Sequence, residues 1–383
     1  NIPPPRELLV FINPKSGPGR AKQMWYNTCD SIISKDAGCK TQVIITERQN
    51  HAKEYIESCS DLANKYTGIV IVSGDGLFYE VLQGIMKRKD WQEVVRTISI
   101  GIIPGGSGNG LFATICHEMS LPNNPTTAAF IVGKSLKKPI DVLAVDIVKE
   151  QGQPVERVYS CLSLEWGALA FVDIDSEKVR FLGESRFTIW AVLSVILGRK
   201  YRGKLSYLPA TSISDTQKEN TLLLAGDGSI PEVQSYWEQH ELAVAADGIS
   251  PVTLLLPNPH GPVPDNWVTF TSDNWKTMLN VNASKISTST CPAPTTKLDD
   301  GYIQLSYVAD AGRGSLLKYL LSLDSGLHKA GNAVKMAPTR AYRFEPTDKE
   351  SKGTRLLTVD GEVVPYTVIQ IENLSRFLNM MCG

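Results

Sequence analysis

Apolar and polar positions follow two different rhythms along this chain. Over the first 140 residues, short continuous apolar runs are separated by longer stretches of helical spacing. Residues 8–12, 42–46, 68–72 and 98–103 read as buried strands. The stretches near 20–35, 51–63 and 77–88, and one beginning at 111–116, read as helices. Such alternation predicts a parallel sheet covered on both faces. Beyond residue 140 the spacing shortens. Residues 141–148, 158–164, 205–208, 221–224, 252–256 and 303–308 read as strands between turns rich in Pro, Gly, Asn and Asp, the pattern of a mostly antiparallel sandwich. Two stretches, 211–220 and 257–266, read as irregular solvated loops.

A length of 383 residues agrees with two domains at roughly 150 residues each. The expected fold is therefore a parallel-sheet α/β domain over 1–140 and a mostly antiparallel β-sandwich or barrel-like domain over 141–383. Hydrophobic residues at 42% and charged residues at 21% are those of an ordinary globular chain. A net charge of −1 disfavours bulk nucleic acid as the partner, because neutralising phosphates needs a basic excess. The seven cysteines form no Cys-x-x-Cys pair and the histidines no His-Glu-x-x-His, which disfavours a disulfide framework, a zinc site and a zinc hydrolase. Scattered thiols fit a cytoplasmic setting. The chain opens Asn1-Ile2-Pro3 without methionine, which leaves room for a trimmed leader, and what remains contains no signal peptide. The longest nearly apolar run, 187–197, is shorter than the ~18 residues of a spanning helix.

Three glycine-rich loops each follow a strand of the first region. They are Asn13-Pro14-Lys15-Ser16-Gly17-Pro18-Gly19, Ser73-Gly74-Asp75-Gly76 and Pro104-Gly105-Gly106-Ser107-Gly108-Asn109-Gly110. The carboxyl ends of parallel strands are where open α/β sheets bind ligands. Glycine there lets backbone N–H groups approach an anion at a helix start. One such turn could be plain chain reversal; three at corresponding positions favour a phosphate cradle. Gly133-Lys134-Ser135 lacks the leading glycine and the strand of a Walker A loop, and no protein-kinase signature is present. Asp75 would repel phosphate unless it had a task. It could hold Mg²⁺ or take a proton from an attacking hydroxyl, or it could simply cap the next helix.

These residues, with Thr46-Glu47-Arg48-Gln49-Asn50, Glu80, Ser163-Leu164-Glu165-Trp166-Gly167, Asp173, the stretch 180–188 and Asp360-Gly361-Glu362, resemble the diacylglycerol-kinase superfamily of lipid kinases. Within it the chain most resembles the sphingosine kinases, over nearly its whole length apart from 211–300. The resemblance implies ATP with Mg²⁺ on the glycine loops and a lipid with a long alkyl chain in the second domain. It makes Asp75 the general base. Asn13, Pro14, Lys15, Ser16, Gly17, Thr46, Glu47, Arg48, Gln49, Asn50, Ser73, Gly74, Gly76, Glu80, Gly106, Ser107 and Gly108 would line the nucleotide site. Arg180 and Arg186 would reach its phosphates, with Asp360, Gly361 and Glu362 nearby. Ser163 and Asp173 would meet the lipid headgroup, with Phe171 and Phe187 on the lipid. Asp173 would favour an ammonium over a neutral headgroup. Unaided by the family, the two arginines would be surface ion-pair partners and Asp173 a turn residue.

The chain departs from the family at Phe171, where an acidic residue is usual, and at Pro18 and Phe181, often basic. The run 187–197 is apolar nearly all round and meets Gly198-Arg199-Lys200-Tyr201-Arg202. It is either a core helix or a lid whose outer face touches a bilayer, giving peripheral membrane contact over 187–202. Asn282-Ala283-Ser284 and Asn373-Leu374-Ser375 match glycosylation acceptors by chance, and Asp299-Asp300-Gly301 reads as a turn. The expected activity is phosphorylation of a sphingoid base. A ceramide or diacylglycerol kinase and a catalytically silent lipid-binding scaffold are its rivals, and a homodimer is left open.

Overall fold

The computed structural model describes residues 6–106, 108–150, 153–176, 185–210, 234–239, 251–348 and 355–382. Ser107, Arg180, the loop expected at 211–220 and the strand expected at 221–224 lie outside the described residues, as do the side chains of Arg186 and Phe187.

Strands β1 (Glu7–Ile12), β2 (Lys40–Ile45), β3 (Gly68–Ser73) and β4 (Ser99–Pro104) are parallel, in the order β2-β1-β3-β4. The apolar side chains of β1, β3 and β4 are almost wholly buried because helices cover both faces, whereas those of the edge strand β2 are only half-buried. The first helical stretch is α1 (Ala21–Met24) continued by π-helical turns Trp25–Cys29 and Ser31–Asp36. The single helix expected at 51–63 is two, α2 (His51–Ser58) and α3 (Leu62–Lys65), broken by extended Cys59 and left-handed Asp61. Helix α4 (Asp75–Met86) starts at Asp75 itself, after α3 and β3. Helices α5 (Trp91–Thr97), α6 (Gly110–Met119) and α7 (Pro125–Lys134) complete this half. The pattern missed α5 and α7, although Asn124 caps the amide of Thr127 with Pro125 at the first helical position.

The second half begins with β5 (Lys137–Ile147), β6 (Glu156–Ser160) and β7 (Ser163–Gly167). The strand expected over 158–164 is therefore two, separated by a turn that the Asp360 carboxylate holds. That group accepts from Ser160 Oγ (2.6 Å) and from the amides of Cys161, Leu162 and Ser163. Helices α8 (Ala168–Ser176) and α9 (Ser185–Leu197), strand β8 (Tyr201–Pro209) and the short α10 (Tyr236–Gln239) follow. Then come β9 (Val268–Val281), β10 (Ile303–Ala309), α11 (Arg313–Ser322), β11 (Lys335–Pro346), β12 (Leu357–Val359), β13 (Glu362–Val363) and β14 (Ile369–Met381). Residues 252–256 are not a strand; the amides of Leu254, Leu255 and Leu256 bond instead to the Glu372 carboxylate. A side chain has replaced the neighbouring strand as their acceptor.

The pairing of β9 changes along its length. Its first half pairs with β8, its second with β7 and β10, while β11 pairs with β10 and then with β8 and β14. These antiparallel strands wrap a core in which Trp166 lies 4.4 Å from Phe344 and 5.7 Å from Trp275, centroid to centroid.

Strand β14 runs antiparallel beside β5 and then crosses into the first half. A register shift between Leu374 and Leu378 lets Asn379 and Met380 pair in parallel with Ser99 and Ile100 of β4. Arg376 takes a positive φ of 52° there, and the buried Asp141 carboxylate accepts its amide at 2.7 Å and that of Gly301 at 2.6 Å. Phe377, Leu378, Met380 and Met381 are buried in the core of the parallel half. Asn282 and Asn373, the two apparent glycan acceptors, are buried and bonded to one another (3.1 Å). The Asp299-Asp300-Gly301 segment is a turn, Asp300 accepting from the amides of Lys297 and Tyr302.

Candidate active site

The three glycine loops nest against one another at the carboxyl ends of β1, β3 and β4. A Cβ on Gly17, where φ is +56°, would stand 2.7 Å from the carbonyl oxygen of Gly105. One on Gly74 would stand 2.8 Å from that of Gly108, and one on Gly106 2.8 Å from Gly74 Cα. Backbone touches backbone at these points, so glycine is required for the loops to meet. Gly76 and Gly108 differ: nothing lies within 4 Å of a Cβ placed there. They keep space open. Ser73 Oγ donates to Ser16 Oγ (3.2 Å), and the Asn13 side chain accepts the amide of Lys15 (3.0 Å), fixing the loops laterally.

Asp75 opens α4, yet its carboxylate spans to the start of α6. Oδ2 accepts the amide of Gly110 at 2.7 Å and Oδ1 that of Leu111 at 3.2 Å. Burial pushes its carboxyl up to about 7, the Asp360 charge adding to this against the pull of the two amides. Such a group is poised to accept a proton near neutral pH.

A cavity of about 1320 Å³ joins these loops to the antiparallel half. One end is polar, lined by Asn13, Lys15, Ser16, Gly17, Thr46, Glu47, Arg48, Gln49, Ser73, Gly74, Gly76, Glu80, Gly106 and Gly108. The middle holds Asp75, Ser163, Asp173, Asp360, Gly361 and Glu362. The other end is walled by Leu169 and Val172 of α8, Ala191 and Val192 of α9, and Leu317, Leu320 and Leu321 of α11. Asp173 sits against the β12–β13 turn: a Cβ on Gly361, where φ is +81°, would lie 3.9 Å from its Oδ2.

Not every expected residue lines this space. Pro14 and Asn50 do not; Glu80 does, and burial raises its carboxyl against the pull of the nearby amides of Asn50 and Ala52. Arg48 reaches the cavity while held in a forked pair with Glu54. Phe171, expected against the lipid, is buried with the Arg199 guanidinium 4.3 Å from its ring centre. It fastens α8 to the segment after α9 and is not a lining residue. Two contributions went unread. Glu165 of β7 lines the cavity, and so do Ile286, Ser287, Ser289 and Thr290 after β9. Neither carries a signal in the sequence: a lone acid in a short strand does not tell a cavity from solvent, and the second segment is brought in by long-range packing.

The polar end has the features of a triphosphate site: open glycine positions, free space and the N-termini of α4 and α6. Among the described residues no three His, Cys, Asp or Glu side chains converge as a metal site.

Sequence comparison agrees with this geometry. Residues 7–145 match the diacylglycerol kinase catalytic domain. Sphingosine kinase 1 of Caenorhabditis elegans is 30% identical over 411 residues, covering 97% of this chain and 80% of its own. The chain belongs to the sphingosine kinase family of lipid kinases. Sphingosine kinase 1 of Mus musculus is 28% identical, with 100% of this chain and 92% of the relative covered. A putative diacylglycerol kinase from Bacillus anthracis shares the fold at a TM-score of 0.63 and 18% identity, covering 99% of this chain and 95% of that one. As in other kinases of this family, the nucleotide is ATP. Among the described residues no helix is long and apolar enough to cross a membrane.

Proposed function

We propose that this enzyme transfers the γ-phosphoryl group of ATP to the primary hydroxyl of a sphingoid base. The observation that carries the reading is that Asp75 lines one cavity together with the glycine loops and the apolar side chains of α8, α9 and α11. In this reading Asp75 accepts the hydroxyl proton, and the amides of Gly110 and Leu111 hold its carboxylate still. Lys15, Ser16, Thr46, Ser73 and the backbone at Gly76 and Gly108 bind and orient the phosphates. Arg180 and Arg186 are proposed to close over them from the second half. Phosphoryl transfer depends chiefly on such positioning and charge stabilisation. Mg²⁺, held by the phosphates and water, would neutralise charge on the transferred group.

We assign the lipid to a lobe over 141–383 and the nucleotide to one over 1–140, with Ser163 and Asp173 at the headgroup. The apolar wall supports a long alkyl chain, and Asp173 supports a cationic one. Peripheral membrane contact belongs to the same reading. Helix α9 exposes Ile189, Val192, Leu193, Ile196 and Leu197, and the adjacent α11 exposes Leu317 and Leu321. Val192, Leu317 and Leu321 also line the cavity, so its greasy end opens on an apolar surface bordered by Arg199, Lys200 and Arg202. Labelled-phosphate transfer from ATP to sphingosine, ceramide and diacylglycerol tests the reading. Transfer to sphingosine is expected to dominate; transfer to either neutral lipid with none to sphingosine would overturn it.

A further inference from the structure

Strand β7 turns successive side chains to opposite faces. Leu164 and Trp166 enter the antiparallel core, whereas Ser163 and Glu165 face the cavity. Glu165 is only 8% exposed, and its Oε2 has no hydrogen-bond partner among the described residues. Its register neighbours are Leu279 on β9 and Thr358 on β12. Thr358 is fully buried and its hydroxyl also lacks a partner. Two neighbouring polar groups on adjoining strands are therefore left unsatisfied, a condition that costs stability unless a ligand meets it, and of the two Glu165 lines the cavity. Across this spot stand Asp173 from α8 and Tyr319 from α11, the latter's hydroxyl engaged with Ser306 Oγ (3.2 Å). Burial, with the Asp173 charge second, raises the Glu165 carboxyl well above its ordinary range. Among the described residues lining the cavity, the cationic side chains are Lys15 and Arg48, both at the nucleotide end.

We propose that Glu165 is a specificity-determining residue that shares the ammonium of the substrate with Asp173. An ammonium brings three donors and a positive charge, enough for both carboxylates. An amide nitrogen or a glycerol backbone brings neither the charge nor the donors. Glu165 thereby sets the preference for a free amine over an N-acylated or neutral lipid. This inference rests on the sphingoid-base reading above and deepens it.

Kinetics of the full chain test it, with Glu165→Gln, Glu165→Asp and Glu165→Leu measured against wild type on sphingosine and ATP. The glutamine variant is expected to raise KM for sphingosine about ten- to a hundredfold, the range of a lost hydrogen bond to a charged group. Its KM for ATP should stay unchanged and kcat should change far less, while aspartate should restore part of the affinity. The leucine variant leaves no orphaned polar atom at position 165 and supplies the same readout should the glutamine variant fail to fold. An unaltered KM for sphingosine in either variant, or an equal loss for ATP, overturns the role of Glu165 and leaves the proposed function standing. Wild-type enzyme inactive on sphingosine would instead remove the reading on which the inference depends.

Discussion

At Asp75, burial holds the proton on while two helix-start amides pull it off. The resulting value of about 7 has a direct kinetic consequence. The side chain must be ionised to accept the hydroxyl proton, so kcat/KM should rise with pH to about 7 and level above it. A profile flat from pH 5.5 to 8 would remove the base role. Asp75→Asn should lower kcat about 10²–10⁴-fold while ATP affinity, read by calorimetry, changes little. The glycines separate two kinds of damage. Gly17→Ala forces a Cβ against the Gly105 carbonyl at a positive φ and should destabilise the fold by about 1–3 kcal/mol. Gly108→Ala meets no protein atom, so its thermal midpoint should hold while ATP binding weakens. Asp75 was legible because a carboxylate among phosphate-loop glycines needs a reason. Glu165 was not, because a lone acid in a five-residue strand looks the same whether it faces water or a cavity.

Among the elements, α9 bears most on the proposed membrane contact. Its sequence is apolar on every side, and burial of one face leaves the other exposed, with Ile196 61% and, on α11, Leu321 72% accessible. Ile196→Glu and Leu321→Glu should each weaken binding to anionic vesicles about tenfold or more, while activity on detergent-dispersed sphingosine persists. Unchanged co-sedimentation with vesicles would sink the docking role. The parallel strands were plain in the sequence, since burial on both faces writes a continuous apolar run. Strands β9, β11 and β14 were missed because one face meets polar groups and bulges interrupt their period. Asn373 and Ser375 of β14 serve the network around Asp141 instead of the alternation.

For the whole molecule, the return of β14 matters most, and no local pattern announces it. Phe377 stacks on Trp91 at 5.7 Å between ring centres, so truncation after Arg376 strips apolar side chains from the parallel half. That protein should lose cooperative unfolding of both halves, followed by Trp fluorescence and circular dichroism; a native-like parallel half would count against the coupling. Stability should also respond to pH in an unusual direction. Asp75 and Asp141 are both raised from 3.8 to about 7, in each case chiefly by burial. The folded chain therefore holds more protons than the unfolded one between about pH 4 and 7, and these groups make stability fall as pH rises through that window. The thermal midpoint should be higher at pH 6 than at pH 8.

The crossing strand also limits how the enzyme can breathe. Ten paired positions bind β14 to β5, and its tip is woven into the opposite sheet. Swinging the halves apart like a jaw would tear that seam. Under the proposed function, cargo would slip in sideways between α9 and α11, and the phosphorylated product would leave by the same greasy door.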